Sequence, residues 1–504
     1  MGRDCRRSGA RLALAAALLL FALAPVDTAS AARADKPPAL PSLPELDPAS
    51  PSLSPGGRSY LESADLTDAP RYALSAQIDP RTGDVDGHMR AEVPAPGNGE
   101  LRFRMLAGLP ALHTGVAVRD VTVDGKKTRA HLDQALLTIP ASRTSSGRVV
   151  VGARFTYRVP RAGTTHGRPL TQATIALLSR RADSSQFGHW FPVWLPPASD
   201  GDPALSGFGD IGNFAAGAIT ARVRVPRGWD VASGGITVDR READGNTTVT
   251  ESGVGLRDLS LVVARGVQRA EARAGDVTVR VIGPQPIDVD GTAHAAADAL
   301  QTLADRFGPY PWSELDVVGV SLGPDAGGME WPGAVWIDGL AVGTRSAALT
   351  VDHELAHQWW HALVGNDSIR APAVDEPLAQ YSMCVVAGAN GSPCGGLAGP
   401  GGGSGGRTQC ADRPTSAFAS AAQYGSLIYD QAPGFYLAMA SSLGETETIA
   451  ALKEVVTRHA FGIITPAELR DELVAAFPQQ ADTVGALWDR YIGPPGCGVS
   501  PRGK

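Results

Sequence analysis

No block of lysine or arginine occurs after the first dozen residues, and the 504-residue chain carries a formal net charge of −7. Without a basic stripe there is little for a phosphate backbone to bind, so nucleic acid is excluded as a partner. The apolar run from Leu12 to about Val26 is shorter than the roughly 20 residues that span a bilayer, so no stable membrane insertion is expected. Cysteine is scarce at five residues and histidine at ten, and no internal repeat is visible. Repeat architectures therefore drop out.

Hydrophobic residues at 43% and charged residues at 19% are ordinary for a chain that folds without a partner. The length exceeds what one core holds and implies two or three domains. A basic start, the apolar run and an Ala29-x-Ala31 pattern read as an export signal over residues 1–31, which implies a secreted or extracytoplasmic protein. Cys5 leaves with that signal. The remaining Cys384, Cys394, Cys410 and Cys497 suggest disulfides. Cys394 with Cys410 is the favoured pair, because the "GGLAGPGGGSGGRTQ" between them is too flexible to hold itself in place. That pairing leaves Cys384 and Cys497 joined or free.

Residues 32–57, rich in Pro and Ser, read as a linker. Residues 58–268 alternate with period two in segments such as "YALSAQID", "RVVVGARFTYRV" and "AITARVRV", which predicts an antiparallel β domain. From 269 to 495 the chain turns mostly helical, beginning with "TAHAAADALQTLADRF" and carrying a Gly-rich insertion near 391–410. Thr465, Pro466 and Glu468 mark one helix start as a capping box. Two apolar strands, "DVVGVSL" and "AVWID", flank "GPDAGGMEWPG". The fold class is therefore α+β.

His353-Glu354-Leu355-Ala356-His357 lies in "SAALTVDHELAHQWWHALVG", which has helical spacing and no internal Pro or Gly. Residues four apart on a helix share a face, so both imidazoles can grip one zinc ion about 2 Å from each nitrogen. Glu354 stands beside them as a base for a water proton. A catalytic zinc wants a third protein ligand and one open position. His361 lies roughly 12 Å along a continuous helix from His353, too far to share the ion, and takes a structural or pocket-edge role. A second helix, "VDEPLAQYSMCVVA", opens with Asp375 and Glu376, and periodicity alone does not choose between them.

His-Glu-x-x-His, eighteen residues, then Glu376 resembles the zinc signature of the gluzincin metallopeptidases, and the surrounding residues resemble the aminopeptidase N family. The resemblance implies one zinc ion on His353, His357 and Glu376, with Glu354 as general base. Gly327-Gly328-Met329-Glu330 resembles the family's substrate-binding motif, so Glu330 would hold the free α-amino group beside Gly327, Gly328 and Met329. "YGSLIYDQAPGFYLAM" makes Tyr429 the expected oxyanion donor, with Tyr424 in reserve. The partners implied are peptides with a free N-terminus, and the fold implied is a saddle-like β domain followed by a thermolysin-like catalytic domain. The large C-terminal helical domain of longer members is expected to have no counterpart. Pro377, where glycine is usual, and Trp331, where asparagine is usual, depart from the family pattern.

Overall fold

Period-two alternation becomes sheet almost wherever the sequence shows it. In the computed structural model, strands Arg71–Asp79, Asp84–Pro94, Arg148–Arg158 and Gly217–Pro226 belong to an eight-stranded sheet that is antiparallel except where the first and last of these pair. Arg148–Arg158 buries every second side chain, the pattern expected of one face on the core and one toward solvent. Two four-stranded sheets complete the β-rich half.

The structure describes residues 36–497 apart from 98, 143–146, 163–176, 198, 200–204, 206–208, 210–211, 213, 285–287, 323–325, 340–344, 389–393, 395–408 and 495, and for 345 and 346 the backbone alone. The described residues belong to one compact unit, Lys36–Lys504. The export signal and most of the Gly-rich insertion lie outside them.

A five-stranded mixed sheet introduces the helical half. Its order is Val267–Ala274, Val277–Pro284, Glu314–Val320, Ala334–Asp338 and the short edge strand Gly328–Met329. The helix Val289–Phe307 packs on this sheet, with an Asp288 cap on Gly291 N at its start. The capping box at Thr465 and Glu468 is formed as expected, opening Pro466–Ala476. Mixed α+β architecture, with sheets first and helices after, is thus what the chain adopts.

Three expectations change. The segment expected to be a linker is anchored: Arg222 donates to Ala39 O at 2.9 Å, Leu53 is buried, and Pro55–Ser63 forms a helix. Gly56 and Gly57 disguise that helix in the sequence, since glycine is a poor helix former. They are needed because a Cβ at Gly57 would lie 1.8 Å from Pro311 O. The disulfides are Cys384–Cys394 and Cys410–Cys497, with Cα separations of 5.8 and 5.9 Å, and not the favoured Cys394–Cys410 pair. Flexibility between two cysteines says nothing about which partners tertiary packing brings near. Finally, the helix carrying the histidines, Arg345–Ala356, ends earlier than its spacing implies. Beyond it, Ala362, Leu363 and Val364 donate to carbonyls five residues back, a wider turn than the α-helix.

Candidate metal centre

His353 sits in the last turn of Arg345–Ala356, and His357 follows in the turn beyond. Glu376 is the second residue of the helix Asp375–Ala387. Pro377 is tolerated there because a first-turn N–H has no intrahelical partner to lose. Large aromatic anchors fix the two segments. Trp359 Nε1 donates to Gly308 O and Trp360 Nε1 to Ser382 Oγ on the second helix, each at 2.9 Å, and both rings are buried.

Three ligand atoms converge. His357 Nε2 lies 3.1 Å from His353 Nε2, and Glu376 Oε2 lies 3.3 Å from each of them. A tetrahedral zinc with bonds near 2 Å separates its ligands by about 3.3 Å, so these atoms span one face of such a tetrahedron. His357 Nδ1 bonds Trp360 O at 3.0 Å, which leaves Nε2 as the lone-pair side. The donor set and spacing therefore fit a zinc ion.

Electrostatics point the same way. Burial opposes charge on His357, yet the carboxylates of Glu330, Glu376 and Glu354 raise its pKa well above the ordinary value. Burial lowers that of His353. Burial alone would raise Glu376, but the two imidazoles hold its carboxyl far below the usual range. Asp375 is pushed up to about 7 by burial and by its neighbour Glu376. The cluster holds more carboxylate than protein cation and draws positive charge inward.

Glu330 is buried, and its atoms lie with those of Glu354 and His357 inside one 4.8 Å group. The edge strand Gly328–Met329 carries the chain to it by pairing with Ile337 and Trp336. Gln358, just past the second histidine, clamps the next turn: its Oε1 accepts from Gly333 N at 2.9 Å and its Nε2 donates to Trp331 O at 3.1 Å. A Cβ at Gly328 would stand 2.3 Å from Glu354 Oε1, so the room this glycine leaves is filled by Glu354. Gly327 similarly faces Thr350. Trp331 is buried edge-on against His189 and Trp336, a packing role that asparagine could not fill.

Tyr429 lies in a π-helical stretch, Ser426–Gln431, and its hydroxyl donates to Glu376 Oε1 at 2.7 Å. Burial and Glu376 keep it protonated. Tyr424, buried, packs edge-on against it with ring centres 6.0 Å apart. His353, His357, Glu376, Glu330 and Glu354 thus lie together, with Tyr429 on Glu376. His361 is outside the ligand set, as distance suggested, but the continuous helix behind that reasoning is absent. Its Nδ1 lies 3.4 Å from Asp375 Oδ2 and 3.8 Å from Glu330 Oε1, a placement the sequence did not show. Gln358 was missed too, and only its position beside His357 could have flagged it.

No family model matches the sequence, and no curated protein does. Solved structures do. The M1 zinc metallopeptidase from Deinococcus radiodurans is 17% identical and superposes with a TM-score of 0.63, over 85% of this chain and 94% of that one. A mutant of the Deinococcus radiodurans enzyme bound to a Tyr-Ser-Ala substrate gives 0.62 at 17% identity, over 84% and 93%. A two-domain M1 mutant bound to L-arginine gives 0.61 at 16%, over 84% and 94%. At such identities the likeness is one of architecture. The chain has the fold of the M1 zinc metallopeptidases.

Proposed function

We propose that this chain is an exported zinc aminopeptidase that hydrolyses the first peptide bond of substrates with a free N-terminus. The triangle of His353 Nε2, His357 Nε2 and Glu376 Oε2, with edges of 3.1 and 3.3 Å, carries the reading. Zinc held there would supply Lewis acidity toward the scissile carbonyl and toward water. Glu354, lodged over Gly328, would take the proton of the attacking water and return it to the leaving amine. The Tyr429 hydroxyl, which donates to Glu376, would turn to donate to the oxyanion. Glu330 would receive the α-ammonium group and so restrict cleavage to the first bond. Export is supported by the N-terminal pattern and the two disulfides. Among the described residues no helix is long and apolar enough to cross a membrane.

The test compares wild type with Glu354→Ala for zinc content and for release of a chromogenic amine from unblocked aminoacyl substrates. We expect about one zinc in each and a loss of roughly 10³-fold in kcat in the mutant. Stoichiometric zinc with no more activity in wild type than in the mutant would leave a peptide-binding protein on a peptidase scaffold. Equal cleavage of N-acetylated and free peptides would remove the role given to Glu330 and favour an endopeptidase.

A further inference from the structure

We infer that His361 is a positioning residue for Glu330, fixing the carboxylate that selects substrates with a free amino group; this rests on the reading of Glu330 above. His361 has a φ of 151°, within the region that favours glycine. A side chain kept in such a conformation persists only where its surroundings over-determine it, and such residues gather at functional sites. The surroundings here do so. Buried Arg257 donates to the carbonyls of Ala362 and Leu363, directly after His361, at 2.9 and 3.0 Å. It also donates to Phe214 O at 2.8 Å and Gly462 O at 2.5 Å, tying that segment to two others.

The imidazole gained by this strain is 6% exposed and is aimed between two carboxylates. Asn366 Nδ2 donates to Asp375 Oδ1 at 2.9 Å, which fixes Asp375 and turns its Oδ2 to His361 Nδ1 at 3.4 Å. Glu330 Oε1 lies 3.8 Å from the same nitrogen, longer than a hydrogen bond but within electrostatic reach of its N–H. Asn366, Asp375, His361 and Glu330 thus form one row, anchored at the backbone end by Asn366 Nδ2 on Ala371 O. A carboxylate just past a short edge strand can turn about its last torsion. A donor beside one oxygen aims the other, as the supporting shell of a metal ligand does.

The variants are His361→Gly, which relieves the backbone as it removes the ring, and His361→Asn, whose amide nitrogen stands where Nδ1 stood. Zinc content, thermal unfolding, and kcat and KM on an unblocked leucyl amide substrate are measured. Calorimetry adds the affinity of each zinc-loaded protein for L-leucine and N-acetyl-leucine. We expect His361→Gly to keep its zinc and kcat, to raise KM about 10-fold, and to lose most of the preference for L-leucine. His361→Asn should recover most of both. Unchanged KM and preference in His361→Gly, or zinc loss with equal weakening toward both ligands, would overturn the inference and make His361 a packing residue. A wild type that prefers L-leucine but hydrolyses nothing would sink the peptidase reading and leave this one standing. A wild type with no such preference would overturn it.

Discussion

In the sheets, the carboxylate of Asp316, 1% exposed, accepts from Arg280 Nε at 2.7 Å, and Arg280 Nη1 meets Glu314 at 2.9 Å. Arg280 and Asp316 stand opposite each other on paired strands, so the register itself delivers the charge partner. Buried Glu251 accepts from the hydroxyls of Ser233 and Thr237, each at 2.8 Å. At the metal centre Glu376 faces two imidazoles and a phenol, and Asp375 an imidazole and an amide. The sheet cluster contains its own fixed cation. The helical cluster leaves a place for one to be supplied, and that difference separates a structural network from a reactive site.

Removing zinc should separate the two most sharply. Dialysis against a chelator is expected to abolish amidase activity and, relative to protein in zinc at about 100 times its Kd, to lower stability by about 2.7 kcal/mol. Identical melting of apo and zinc-loaded protein would contradict the site. Arg280→Met attacks the other cluster. It leaves buried Asp316 without its cation and should cost about 3 kcal/mol, the lower end of such losses because Arg280 is 23% exposed. Chemical denaturation should show this shift, with zinc content and activity per folded molecule unchanged. A fall in zinc content would show that the clusters are coupled.

A third expected effect concerns pH. Burial raises the Glu251 pKa from 4.5 to about 7, against the pull of its hydroxyl donors. A folded-state value above the unfolded one means that the folded protein binds the extra proton. The stabilisation is complete below about 4.5 and is lost as pH rises toward about 7. Glu251→Gln, which keeps an acceptor for one of the two hydroxyls and offers the other an N–H donor, should remove that decline from the stability profile. Parallel profiles for wild type and variant would refute the assignment.

Much of this was legible in the chain itself. Period-two segments became strands, and Thr465 with Glu468 became a capping box, because each depends on neighbours a few residues away. What misled were features whose meaning is set from outside: Gly56 and Gly57 serve Pro309 and Pro311, and Gly328 serves Glu354. The early end of the histidine helix also escaped notice, since no proline or glycine marks it.

The sequence by itself determined the chemistry offered: two histidines one turn apart, a glutamate between them, and acids and a tyrosine of the right kinds. Helical pitch makes four-residue spacing a statement about space. Periodicity left Asp375 and Glu376 open and the resemblance named Glu376, but tertiary structure alone decided which cysteines pair and that His361 turns toward Glu330 and Asp375. Those contacts join segments whose separation along the chain puts no bound on their distance, so only the packing of helix on helix and sheet on helix could set them.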